Sequence, residues 1–541
     1  MSPLPVRRAA PRQILTRILD HPDLVAAVQA LPARALGKLI EHVGLEDSGE
    51  IVALATTEQL RRIFDDDLWR SERPGKDEQF DAGRFALWLE VMLEAGEAFA
   101  AQKLAELPED LVTLALHKNV LVINIEELAV AMSARDSDDD GLTEKALESC
   151  LCEEIDEYRI ISRHHEGWDA ILAVLLALDR DHHEFLGRVL DHCCHMAAEY
   201  IDDNGGLYQV LTSDEMLESD LGADREERRA EEGFIAPSSA ASFLALARTT
   251  ELTEIVDSKG RDPVTRAYFR SLGVPSRAES AHDGAIERAA ASAADAATLV
   301  EVLRDAEVLP PAWPMHLLEG PADASCSRDS GVFVLAMHEL RAGAPDLHDQ
   351  RMEELAYLAN VLAAGCAIEG RALRPLESAH LAVAVCNLGI EHMLRDEPAR
   401  APATTVLHHQ GADKLFRIGW RLLVQEVVLP AASIVEKLLV RATLGQSDRE
   451  LLRRLEQASR ALRSAIAAGK PWTALRKLDA LADHLDADTS TTLLALLDET
   501  PSLRGKLASL VAVSQGVTDR EVQFISTRQQ IRSIQAFLAD L

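Results

Sequence analysis

Apolar residues recur three and four positions apart along most of this chain, the spacing that gathers them on one face of an α-helix. Between Ile14 and Trp69 the pattern predicts short helices near 33–42, 47–55 and 57–66, separated by tight breaks. The phrase LPEDLVTLAL from Leu107 is similar to LPARALGKLI from Leu31, and it follows a helix predicted over Phe80–Leu104. Further on, Trp168, Ile171, Leu172, Leu175 and Leu178 share one face, and the next helix runs from about His183 to Tyr200. Helices resume over Val332–Ala342, Asp349–Cys366, Pro375–Leu394 and Ala412–Leu429, with a terminal run after Ser447. Short paired helices cannot bury such stripes alone, so neighbours must stack on them. The expected fold is mainly α: a multi-helical, superhelical, helical-repeat-like array.

Helix starts are marked by S/T-x-x-E/Q boxes, in which a hydroxyl and a later side chain satisfy each other's unpaired backbone N–H groups. Thr56–Gln59, Thr212–Glu215, Ser447–Glu450, Thr518–Glu521 and Thr527–Gln530 all fit, each ahead of an apolar-periodic segment.

The helical rhythm breaks once. Val120–Ile125 (VLVINI) and Tyr158–Ile161 (YRII) are short and β-branched, which predicts strands joined as a hairpin or small sheet around the acidic loop ARDSDDDG. Gly, Pro and Ser in Ser271–Gly284 suggest a linker, and PPAWP at Pro310–Pro314 cannot be helical through its middle. The expected organisation is an N-terminal helical array over 1–118, a middle α+β region with the acidic hairpin loop over 119–270, and a C-terminal helical region over 285–541.

Composition sharpens this picture. Aromatics make up only 4% of the 541 residues, while Ala and Leu dominate, a mixture that suits helix bundles better than sheets. The formal net charge of −33 argues against nucleic acid and anionic lipid as partners, because both are bound through Lys and Arg. The basic N-terminal residues Arg7, Arg8, Arg12 and Arg17 read as a solvated tail. Seven cysteines, none spaced as a zinc ribbon, point to free thiols in a reducing compartment. Neither a secretory leader nor an apolar run of membrane-spanning length is evident, so the expected location is cytoplasmic, without integral membrane association.

Two constellations could hold a metal. Asp136, Asp138, Asp140 and Gly141 occupy positions 1, 3, 5 and 6 of a calcium loop, where alternate carboxylates converge and Gly allows a sharp turn. Position 12, however, is Leu147 rather than a bidentate Glu. On the helix after His183, Cys193 falls in the apolar stripe, whereas His192, His195 and Glu199 share the polar face within reach of one ion. The plainer expectation for both sets is solvation. The charged run Glu215–Glu232 reads as a solvated helix braced by i,i+4 pairs. No P-loop, dinucleotide fingerprint, nucleophile elbow or H-E-x-x-H occurs, so no catalytic or cofactor-binding residue is assigned.

Three phrases carry a resemblance: DREERRAEEGFIAPSSAASFLALAR from Asp224, EYRIISRHHEGWDAILAVLLALD from Glu157, and CNLGIEHM with LFRIGWRLL from Cys386 and Leu415. Together they resemble an uncharacterised bacterial, delta-proteobacterial family, a domain of unknown function, over about Leu31–Leu429. That resemblance implies kinship and no activity. The N-terminal phrases also faintly resemble superhelical domains of magnesium transporters and flagellar switch proteins. The functional expectation is a helical scaffold or interaction module that binds protein partners, without a cofactor beyond a weakly held divalent cation. The alternative is a metal-dependent enzyme or ligand sensor with its site in residues 136–199.

Overall fold

Helices dominate the computed structural model, which describes residues 18, 23–71, 75–126, 150–202, 212–231, 233–258, 260–272, 331–395, 403–444, 448–478, 484–510 and 522–541. Small sheets interrupt them, as the mainly α expectation allows. No described helix is long and apolar enough to cross a membrane. The described residues fall into two units. The first gathers those of Met1–Arg70 and Glu78–Arg229, and the second those of Ser71–Asp77, Ala230–Pro275 and Ala312–Leu541.

The first unit begins with α1 (Leu24–Ala30), α2 (Ala33–Val43), α3 (Gly49–Val52) and α4 (Thr57–Asp67). Thr56 and Gln59 form the full predicted capping box at the start of α4. The same Gln59 amide then donates to the Val28 and Leu31 carbonyls, both at 2.8 Å, so one side chain both starts α4 and ties it to α1. After strands β1 (Trp69–Arg70) and β2 (Gln79–Phe80) come α5 (Ala82–Glu94), α6 (Glu97–Glu106) and α7 (Glu109–Asn119). The single helix expected over Phe80–Leu104 is therefore two. Gly96, at φ +114, turns the chain between them, a conformation that costs a side-chain-bearing residue more.

Three strands follow: β3 (Val120–Asn124), β4 (Cys152–Ile155) and β5 (Tyr158–Ser162), in the antiparallel order β3-β5-β4. Helices α8 (Trp168–Asp181), α9 (His183–Asp202) and α10 (Ser213–Glu231) complete the unit. The α8 stripe is buried as its spacing predicts, through Trp168, Ile171, Leu175 and Leu178. The charged α10 departs from its expectation. Its arginines bond across the fold rather than along the helix: Arg225 to Glu78, Arg228 to Asp65, and Arg229 to Asp66 and Glu78.

In the second unit, α11 (Pro237–Thr249), α12 (Leu252–Asp257) and α13 (Pro263–Leu272) precede α14 (Val332–Gly343) and α15 (Pro345–Gly365). Strands β6 (Ala367–Ile368) and β7 (Arg371–Ala372) lead to α16 (Pro375–Arg395), α17 (Ala403–His409) and α18 (Ala412–Leu423). A π-helical turn over Val424–Val428 joins α18 to α19 (Leu429–Thr443). Pro430 in the first turn of α19 lacks an N–H for the regular ladder, and the widened turn accommodates that loss. The chain closes with α20 (Arg449–Ala467), α21 (Ala487–Leu497) and α22 (Arg528–Ala539). Thr527 and Gln530 form the predicted box on α22, whereas on α20 it is Asp448 that accepts from the Glu450 N–H. Arg248 reinforces the core, stacked 5.6 Å from the Trp420 ring and 4.5 Å from that of Trp472.

Candidate functional site

The hairpin β4–β5 brings an acid to a helix corner. Ile155 pairs with Tyr158, so Asp156 and Glu157 form the turn. Asp156 adopts a left-handed φ of 51°, which Asp tolerates better than most residues. Tyr158 anchors the strand beneath, its phenol pushed up by burial and by the nearby carboxylates of Asp191 and Glu157. On the helical side, α8 ends and α9 starts within two residues, which places Asp179 and His183 at one bend.

Asp156, Asp179 and His183 have ligand atoms within 4.8 Å of one another, the one such trio of His, Cys, Asp or Glu among the described residues. His183 lies between the carboxylates, with Nδ1 2.9 Å from Asp179 Oδ1 and Nε2 3.7 Å from Asp156 Oδ2. The hydrogen bond to Asp179, then the charge of Asp156, raises its pKa above the ordinary imidazole value. Protonated, the ring clasps both acids. Neutral, with Nδ1–H held by Asp179, it turns Nε2 towards Asp156, the carboxylate–histidine arrangement that orients metal ligands. One imidazole and one or two carboxylates suit zinc or manganese better than calcium.

Nearby, His192 Nδ1 lies 3.7 Å from Glu109 Oε1, and His195 Nε2 lies 3.8 Å from Asp191 Oδ1. Both side chains face outward, 54% and 78% exposed, each towards its own acid. Glu199 lies within α9, but its side chain is outside the described residues, as are Asp136, Asp138 and Asp140. Cys193 is fully buried, as its stripe predicts, and donates to the Thr113 carbonyl; burial pushes its thiol up to about 12, so it is inert.

The second unit concentrates ionisable groups in its core. Glu354 Oε1 accepts from Arg351 at 2.8 Å and Arg261 at 2.5 Å, while Oε2 accepts the Ala412 N–H at 2.7 Å. Asp413 sits beside it because Gly411 has no Cβ, which would overlap the Asp413 carboxylate. Burial, and then the charge of Glu354, pushes Asp413 up to about 6. A small pocket elsewhere in the unit is lined mainly by Phe333, Met337, Met352, Leu355 and Val383, with His338 and His348 at its side.

Residues 5–201 match the model of a family of unknown function (DUF6178), which bears out kinship with an uncharacterised domain and spans the hairpin–helix corner. No curated protein and no solved structure matches the chain.

Proposed function

We propose that this chain is a non-catalytic helical binding protein, a stacked array whose acidic surface takes a basic protein partner. The observation that carries this reading is how its buried polar side chains are spent. Gln59 joins α4 to α1, Glu354 joins α15 to the start of α18, and Asn387 of α16 reaches the Phe333 N–H and the Ser526 carbonyl. These bonds hold helices in register, as a framework requires. The net charge of −33 then favours a cationic surface through long-range attraction. Gentle affinity capture from native cells tests this. A stoichiometric basic partner, retained at low salt and released at high salt, is the expected result; no stoichiometric partner at low salt overturns it.

A second reading is favoured by the Asp156–Asp179–His183 trio: a divalent-cation site on the first unit. Calorimetry on chain purified without a histidine tag should show one zinc or manganese equivalent bound, with calcium weaker. His183→Ala and Asp156→Asn should both abolish that binding. Equal heats in these variants and the parent would end the idea.

A further inference from the structure

Lys414, Arg417 and Arg421 lie on one side of α18 at spacings of three and four, within the LFRIGWRLL phrase and just before it. The outer two are engaged. Lys414 Nζ donates to the Val256 and Ser258 carbonyls at 2.7 and 2.8 Å, where α12 ends. Arg421 donates to Glu251 Oε1 at 3.0 Å and to the Arg248 carbonyl.

Arg417, between them, is different. Its residue is only 8% exposed, and among the described residues its guanidinium has no hydrogen-bond or ion-pair partner. The Nε atom is sealed from solvent with no acceptor. The neighbouring Lys414 is itself a cation, and its ammonium pKa is lowered by burial and next by Arg417. Asp257 and Asp413 act on Lys414 in the opposite sense, and neither bonds to Arg417. Acids are not scarce, because the chain carries 89 Asp and Glu against 56 Lys and Arg. A nine-tenths buried cation beside a second cation, left unpaired in so acidic a chain, is electrostatically incomplete.

We propose that Arg417, with Lys414 beside it, is an anion subsite of the second unit that binds one small oxyanion, a carboxylate or a phosphoryl group. The planar guanidinium presents parallel N–H donors that match either group bidentately, and the neighbouring ammonium adds charge without needing to move. Partial burial strengthens both terms relative to a lysine on open surface.

The test uses the full chain with inorganic phosphate and acetate as probes and chloride as the control, at matched ionic strength and neutral pH. Equilibrium dialysis should show saturable binding of one equivalent of phosphate or acetate, accompanied by a rise in melting temperature that chloride does not give. Which probe binds identifies the group as phosphoryl or carboxylate. Arg417→Gln should lose the saturable component, and in chloride it should melt no lower than the parent, because it removes an unpaired buried charge. Arg417→Lys, which keeps the charge and discards the fork, should bind more weakly. If neither oxyanion binds the parent chain saturably, the proposal falls, whatever the variants do. It falls equally if R417Q binds as the parent does, or if R417Q melts well below the parent in chloride, which would mark a structural arginine only.

Discussion

Gly389 and Gly419 let α16 and α18 meet backbone to backbone: a Cβ on Gly389 would overlap the Leu415 carbonyl oxygen, and one on Gly419 that of Val385. Each glycine therefore faces the helix that carries the other. Glycine inside a helix normally costs roughly 1 kcal/mol relative to Ala, so Ala at either site would be favourable on propensity alone. Here the clash is with main chain, which cannot rotate away. Gly419→Ala should destabilise the protein by about 1–3 kcal/mol, the usual range for overpacking. Denaturant unfolding checks it, with Gly343→Ala as control because that position has nothing within 4 Å of the added atom.

Arg228 grips Asp65 through parallel hydrogen bonds of 2.8 and 2.7 Å, linking α10 to α4. The Asp65 carboxylate is nearly buried, so removing its partner strands a charge. Arg228→Ala should cost roughly 2–4 kcal/mol. Arg228→Lys should cost less, since a point charge keeps the attraction but loses the fork. Unfolding curves for the pair separate these contributions.

What could be read in advance follows from which interactions are local. The stripe of α8 and the capping boxes at Thr56 and Thr527 depend on residues within one or two turns, and they stand as the spacing predicts. Strand β4 gives no such signal. Cys152-Glu153-Glu154-Ile155 has no apolar alternation, and it is a strand because β5 pairs with it. The arginines of α10 look self-sufficient at helical spacing, yet their acids lie far upstream, at Asp65, Asp66 and Glu78. The corner site is legible only in pieces. Asp156 belongs visibly to the acidic middle region, and Asp179 with His183 is an i,i+4 pair, but folding the hairpin onto that bend is a tertiary event.

Asp413 makes stability depend on pH. Its folded pKa of about 6 exceeds the ordinary carboxylate value, chiefly through burial and Glu354. Between roughly pH 4 and 6 the unfolded chain has released this proton while the folded chain keeps it, so stability falls as pH rises through that window. Asp413→Asn should flatten the decline and gain about 1–3 kcal/mol above pH 6, less a few tenths for a lost acid in the first turn of α18. Melting temperatures from pH 4 to 8 decide it; parallel curves for the two proteins would refute the assignment.

His183 moves stability in the same direction, over a higher pH window. Its pKa is raised, first by the hydrogen bond to Asp179 and then by the charge of Asp156. The clasp between hairpin and helix corner is therefore fully formed below the unfolded imidazole value, and it is lost as pH rises through the higher folded one. Asp179→Asn should lower the His183 pKa more than Asp156→Asn does, because the nearer contact is 2.9 Å and the farther 3.7 Å. Proton NMR of the imidazole signals measures both shifts. A divalent cation at this corner must displace the same proton, so zinc should release protons on binding and bind more tightly as pH rises from 6 to 8. Zinc heats that are independent of the buffer's ionisation enthalpy, with an unmoved His183 resonance, would separate the proton clasp from any metal and leave the clasp alone at this site.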